Sequence, residues 1–344
     1  MLSYDAVSTH LAMLSDRELA DLVAQAEPRG TGIGGRSAEL EINARRVFTK
    51  RVPLTDLETR PENMRSTANL FGLPSYYHYG IGSAGFGAWR ELAAHVITTW
   101  VLTNAHAGFP LLYHWRIVPD TPPEGFVDEF GGIDQAVAHW EGSPAIRRRL
   151  EAIAESSLSL VLVLEHLPQA VASWLSDRHG ATTPHNATAA PYPWIEQTLA
   201  HATSFMSSRG FVHFDAHFLN LLTDGQEIYF ADFGLALSSQ FSLSAEESRF
   251  LASHLSYDRH YTTSHLLRHH LPRDLRGSKQ HTQFLRDWTT GNARRQDVPD
   301  AVAKLIDRHA ATALIFDQFH HQLINESKKT PYPHAELDLT TARA

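Results

Sequence analysis

Cysteine is absent from the chain. That excludes disulfide stapling, thiolate catalysis and cysteine-based zinc sites. Positive charge is not in excess either. Lys and Arg number 30 against 38 Asp and Glu, a formal net charge of −8 with neutral histidine. A broad footprint for nucleic acid or an anionic membrane is therefore not expected. No run approaches the ~20 apolar residues of a membrane span. The N-terminal stretch lacks the basic and apolar regions of a secretory leader, so the expectation is a cytoplasmic protein. Internal repeats are missing as well. Histidine is abundant, with 22 residues, which makes the charge sensitive to pH between about 5 and 8. With 344 residues, 43% of them apolar, the chain has room for one large domain or two lobes.

The most informative stretch runs from Gly210 to Leu237, GFVHFDAHFLNLLTDGQEIYFADFGLAL. Phe211-Val212 reads as a strand leading into His213-Phe214-Asp215, and Asn220 follows five residues after Asp215. Apolar runs flank the turn Thr223-Asp224-Gly225, and Asp-Gly in that setting is a strong hairpin signal. The returning run Ile228-Tyr229-Phe230-Ala231 delivers Asp232-Phe233-Gly234. Two carboxylates and one carboxamide are thereby expected at neighbouring ends of short strands. Such a set suits phosphoryl transfer from ATP, which is mostly positioning and charge neutralisation, with oxygen donors holding hard Mg²⁺. An ordinary hairpin carrying incidental acids is the competing reading.

His213, Asp215 and Asn220 spell H-x-D-x-x-x-x-N, and D-F-G begins twelve residues after Asn220. The pair resembles the catalytic and metal-binding loops of the protein-kinase-like superfamily, which includes aminoglycoside phosphotransferases. The resemblance implies a bilobal α+β fold, with a small β-rich lobe and a larger helical lobe. It implies Asp215 as the catalytic carboxylate and Asn220 and Asp232 as Mg²⁺ ligands.

Upstream, Gly30-Thr31-Gly32-Ile33-Gly34-Gly35 contains G-x-G-x-x-G, a spelling shared with dinucleotide-binding folds. There the motif should open a helix. Here Ala38 to Ile42 and Val47 to Val52 read as strands joined by a turn. A glycine-rich β-turn-β suits a flap over ATP phosphates, because bare backbone N–H groups can approach closely. Val47-Phe48-Thr49-Lys50 resembles the V-A-I-K strand of kinases, which implies Lys50 as the phosphate-binding lysine; a surface lysine is the alternative. Ser37 departs from the valine usual after the glycine flap. Pro53 to Gly87 is long and irregular, and a helix is expected from Ala88 towards Asn104. Glu91 in its first turn resembles the carboxylate that fixes the lysine, with Glu58 and Glu62 as competitors.

Phe109 to Val118 reads as a strand, Pro119 to Gly132 as a loop, and Ile133 to Ser156 as a helix with Arg147-Arg148-Arg149 on its solvated face. Leu158 to Leu164 is an all-apolar strand, hence buried on both faces. LVLVLEHLPQAVASWL resembles the kinase hinge, which implies that Leu164 guards the adenine pocket and the main chains of Glu165 and Leu167 face adenine. His179 to Pro193 reads as a surface loop, and its Asn186-Ala187-Thr188 carries no meaning without a secretory signal. Trp194 to Ser208 reads as a helix.

The pattern departs from protein kinases after Gly234. Ala245 to Leu255 already reads as helix, leaving little room for a peptide-docking segment, and no A-P-E occurs. His217 stands where protein kinases carry lysine; it either touches the γ-phosphate or satisfies a turn carbonyl. His265 and His269 lie at i, i+4 without H-E-x-x-H, which favours a solvated basic face over a metal site.

The division expected is residues 1–27 as a helical extension, 28–167 as the small lobe, 168–327 as the large lobe and 328–344 as a polar, frayed tail. The activity expected is ATP- and Mg²⁺-dependent transfer to a hydroxylated small molecule. A protein Ser/Thr acceptor is the alternative, and an ATP-binding scaffold without catalysis is the third reading.

Overall fold

Three consecutive strands open the sheet that carries the first candidate residues: β1 (Glu27–Gly32), β2 (Gly35–Ile42) and β3 (Arg45–Leu54). In the computed structural model, which describes residues 2–102, 105–180, 191–292 and 298–341, they join β4 (Leu112–Pro119) and β5 (Leu158–Glu165). The five form an antiparallel sheet ordered β1-β2-β3-β5-β4, and the protein is of the α+β class. Asn43 and Ala44 both take left-handed φ, 51° and 60°, as a tight two-residue hairpin between twisted strands requires. The strand β1 is not evident in the sequence, because its glycines and exposed side chains give no apolar alternation.

Both faces of the sheet are covered. Val47, Val161 and Val163 pack with Val7, Leu11, Leu19 and Val23 from α1 (Leu2–Met13) and α2 (Asp16–Ala24). Ser15 and Glu18 form a reciprocal capping box at the start of α2. On the opposite face, Val52, Leu54, Leu160, Leu162 and Leu164 meet Ala88, Trp89 and Leu92 of α3 (Ala88–Val96). Double coverage is why β5 is apolar at every core position. The helix continues as a π-turn over Ile97–Leu102, and Asn104 lies outside the described residues.

The irregular stretch before α3 is organised by one carboxylate. Glu58 Oε2 accepts from the Thr55 N–H (3.1 Å), the Thr55 hydroxyl (2.7 Å) and Arg149 Nη1 (2.9 Å). Its Oε1 accepts from the Ala88 N–H at 2.7 Å and so caps α3. Here the structure corrects two expectations. The helix expected over 133–156 is broken into α4 (Ile133–His139) and α5 (Pro144–Ala154) by left-handed Glu141 and Gly142. Arg149 is not on a solvated face; only 1% is exposed. It falls on the α5 stripe of Ile146, Leu150 and Ile153 that faces the core, and burial is tolerable because Glu58 neutralises it.

The chain divides into two compact units: Met1–Leu167 with Asp232–Ser248, and Pro168–Ala231 with Arg249–Ala344. The second unit contains α6 (Val171–Gly180), α7 (Pro191–Ser208) and a small sheet of β6 (Gln169–Ala170), β8 (Leu221–Thr223) and β9 (Ile228–Phe230), after the short strand β7 (Phe211–Val212). Residues 181–190, including Asn186, lie outside the described residues. After α8 (Ala245–His254) follow α9 (Tyr257–His269), α10 (Arg273–Arg276), α11 (His281–Thr289) and α12 (Asp300–Asn325). The solvated basic face expected here is present at Arg259, Arg268 and His269, which are exposed, while the opposite face of α9 packs on α7 and α12 and buries Asp258, His260, Thr262 and Ser264. The tail is corrected. Tyr332 and Leu337 are buried, α13 (His334–Thr341) forms, and the Lys328 ammonium donates to the Leu323 and Ile324 carbonyls at 3.0 Å. Two apolar anchors and a lysine on the open carbonyls of α12 hold an otherwise polar segment. Among the described residues no helix is long and apolar enough to cross a membrane.

Burial pushes His254, His260 and His320 down to about 4 and His265 to about 2, so all four are neutral in the folded second unit. Asp258, pushed up by burial to about 7, works in the opposite sense between pH 7 and 4. Unfolding frees the histidines to protonate near pH 6.5. Their contribution is therefore complete above pH 6.5 and lost as pH falls towards 4, at roughly 1 kcal/mol per pH unit for each group. Four such groups outweigh one opposing carboxyl. Urea unfolding monitored between pH 7 and 4.5 should show the midpoint falling steeply with acidity.

Candidate active site

Lys50 lies near the middle of β3, on the sheet face that meets α3, paired in register with Leu162. Its ammonium donates to Asp232 Oδ1 at 2.7 Å. Glu91 Oε1 stands 2.7 Å from the same nitrogen and completes an ion pair with it. Glu58, a competitor for that partnership, is engaged with Arg149, and Glu62 is exposed. Burial alone would lower the Lys50 pKa, but the charge of Asp232 and then of Glu91 outweighs it and holds the ammonium above its ordinary value. Burial raises Glu91, against the pull of Lys50. One cation between two carboxylates leaves a net negative charge, and Asp232 keeps 45% of its side chain exposed.

The glycines divide. Gly30 and Gly32 lie along exposed β1, whereas a Cβ on Gly34 would stand 3.6 Å from Lys50 Nζ. Gly35 has φ +129° and a Cβ there would sit 2.3 Å from the Arg51 carbonyl, so only glycine fits. The turn of the β1–β2 hairpin therefore runs beside the lysine. Leu164 is on the same sheet face, two residues along β5 from Leu162. Glu165 donates its N–H to Leu111 O at 2.8 Å, and its carboxylate accepts from Leu111 N at 3.2 Å. Leu167 is half-buried and closes the first span of its unit.

In the second unit, Asp215 and Asn220 share one turn. Asn220 Nδ2 donates to Asp215 Oδ2 at 3.1 Å and to its carbonyl at 3.0 Å. His217 Nδ1 accepts the Leu219 N–H at 3.3 Å, which places the ring proton on Nε2, 3.8 Å from Asp215 Oδ1. The ring thus bonds a turn N–H through Nδ1. His213 Nδ1 accepts from the Asp215 N–H, and Nε2 donates to Ala231 O at 2.9 Å. Ala231 N donates to Asn220 O at 2.9 Å and immediately precedes Asp232 in the chain.

Backbone strain marks both loops. Phe214 and Asp232 are non-glycine residues with φ of 65° and 63°. Such residues cost of order 1–3 kcal/mol and persist only where surroundings over-determine them. For Phe214 the surroundings are Asp258, whose two oxygens accept from the His213 and Phe214 N–H groups at 2.6 and 2.9 Å, and the rings of Phe250 and Tyr257. Asp258 escaped the sequence reading. A carboxylate in the first turn of α9 passes for a helix-end acid, and only burial distinguishes it.

Among the described residues no cluster of three or more His, Cys, Asp or Glu could hold a metal ion by itself. Magnesium does not require one: it takes one or two side-chain oxygens, waters and phosphate oxygens. The carboxylate of Asp232 and the amide oxygen of Asn220 are donors of that hard type. No protein-family model matches the chain, and comparison with curated proteins returned no match.

Two outcomes follow from this geometry. Lys50→Met strands Glu91 in the interior, so Glu91 should take up a proton, seen as a new carboxylic-acid C=O infrared band, with a loss of about 3–5 kcal/mol in urea unfolding. Asp258→Asn turns an amide NH₂ towards one of two backbone N–H groups. The variant should lose about 1–3 kcal/mol, measured by the same unfolding assay.

Proposed function

We propose that the protein is a kinase-like phosphotransferase that moves the γ-phosphate of ATP to a hydroxyl of a small molecule. The observation that carries the reading is the Lys50 ammonium shared by Glu91 and Asp232. A strand lysine tied by a helix carboxylate is poised to meet phosphate oxygens, and Asp232 has an exposed face for the accompanying cation. In this reading the two compact units are the two lobes, and the Gly34 turn covers the phosphates with backbone N–H groups. The β5 end at Leu164, Glu165 and Leu167 receives adenine. Asn220 and Asp232 hold Mg²⁺, which supplies charge neutralisation on the phosphates. Asp215 orients the acceptor hydroxyl and accepts its proton, and the His217 Nε2–H faces that carboxylate.

The segment after Asp232 supports a small acceptor over a protein. It runs only to Ser244 before α8 begins, and Ser242 and Glu247 are already tied to Thr67 and Arg90. A peptide-docking shelf would need an exposed, extended segment.

The deciding experiment is ATP consumption against a panel of hydroxylated metabolites and a generic protein substrate, with Asp215→Ala as the control. Acceptor-dependent turnover should drop by about 10²–10⁴-fold in the variant. Turnover indifferent to the substitution would remove Asp215 from the chemistry.

A further inference from the structure

Two successive residues of α3 hold opposite ends of the segment that starts at Asp232. Glu91 holds the beginning through Lys50 and lies beside Gly234, where an added Cβ would stand 3.4 Å from Glu91 Oε2. Arg90 holds the far end. Its Nη2 donates to Glu247 Oε1 at 2.7 Å, with the two side chains 2% and 4% exposed. Its Nε donates to Thr67 O at 2.7 Å, and the Thr67 hydroxyl accepts the Ser242 N–H at 2.9 Å. The guanidinium also lies over the rings of Phe86 and Phe241, 5.2 and 5.6 Å from their centroids.

The irregular stretch before α3 closes the remaining gap. His78 Nδ1 bonds to Leu235 O at 2.8 Å while its ring stacks on Phe86. Gly85 comes so close that a Cβ would stand 2.7 Å from the Gly234 carbonyl. The segment is thus pinned at Gly234, Leu235, Ser242 and Glu247 by one contiguous collar, residues 67–90. A buried ion pair is weak support for stability, since apolar replacements often match it. Its directional bonds do fix geometry.

We propose that Arg90 is a positioning residue for the Asp232 loop, with Thr67 and Glu247 as its partners, so that the metal-binding carboxylate is held in place before nucleotide arrives. This rests on the reading of Asp232 as a Mg²⁺ ligand. Positioning at one remove from a metal ligand is typically worth 10–100-fold in metal affinity. In Arg90→Met the Mg²⁺ concentration for half-maximal ATP turnover should therefore rise about tenfold or more, while KM for ATP at saturating Mg²⁺ stays close to wild type. Arg90→Lys keeps the charge but loses the fork, and should fall between the two. Ile146→Val, a core change in the same unit, should lower stability without moving the Mg²⁺ midpoint. Thr67→Val removes only the hydroxyl that accepts from Ser242 and serves if Arg90 variants fold poorly.

A second arm needs no nucleotide. Hydrogen exchange on the full chain should show residues 232–247 of Arg90→Met and Thr67→Val losing protection while β3 and β5 keep theirs. Selective loss in a protein that does not respond to Mg·ATP would keep the collar and reject the kinase reading. Protection unchanged at 232–247, or a Mg²⁺ midpoint that moves no further than in Ile146→Val, would overturn the proposal.

Discussion

A single buried ammonium between two carboxylates is the constraint on which the rest of the first unit depends. Lys50 can stay charged in the interior only because Asp232 and Glu91 stand against it. Each carboxylate in turn has to be delivered from a different element, β3 supplying the cation, α3 one acid and the chain following β9 the other. That demand explains features which look unrelated in the sequence. Helix α3 must begin at one place, so its first N–H is fastened to Glu58, and Glu58 is itself held by a buried arginine from α5. An error of one residue at the start of α3 would swing Glu91 by roughly 100° around the helix axis and away from the lysine.

The second unit solves a comparable problem with backbone groups. Asp215 is placed by a turn that includes a phenylalanine in the left-handed region, and the strain is offset by two N–H bonds to Asp258 and by ring packing. Asn220 binds back onto the same turn, so acid and amide act as one rigid unit. Neutral histidines fill the surrounding interior. Among them His260 bonds the hydroxyls of Tyr332 and Thr341 through its two ring nitrogens, which a phenyl ring could not do.

How much of this could be read in advance depended on whether the cause was local. The His213–Asp232 stretch announces itself because its turn, hairpin and acids are encoded within about twenty residues. Lys50 and Glu91 could be nominated by strand and helix patterns, Glu91 from its place in a first helical turn, but that local signal does not say what Glu58 does. The choice is made by which acid the α5 arginine claims. Arg149 itself misled, since three successive arginines suggest solvent, and only the position of Ile146 and Leu150 on the packed face reverses that. Arg90 and Asp258 were missed for a similar reason: their partners lie 157 and 45 residues away in sequence. The C-terminal segment was mistaken for a loose end because two apolar anchors are too few to register as a periodic pattern.

The outermost strand carries a consequence of another kind. β1 is the rim of the five-stranded sheet, paired on one side only, and a rim of open N–H and C=O groups invites strands from other molecules. Here the rim holds Pro28, a register shift between Pro28 and Gly30, flexible glycines, and no apolar side chain. Proline withholds a donor, the shift breaks the repeat, and the absence of greasy side chains leaves an incoming strand nothing to bury. The β1 edge is thereby guarded against pairing with a strand of another molecule.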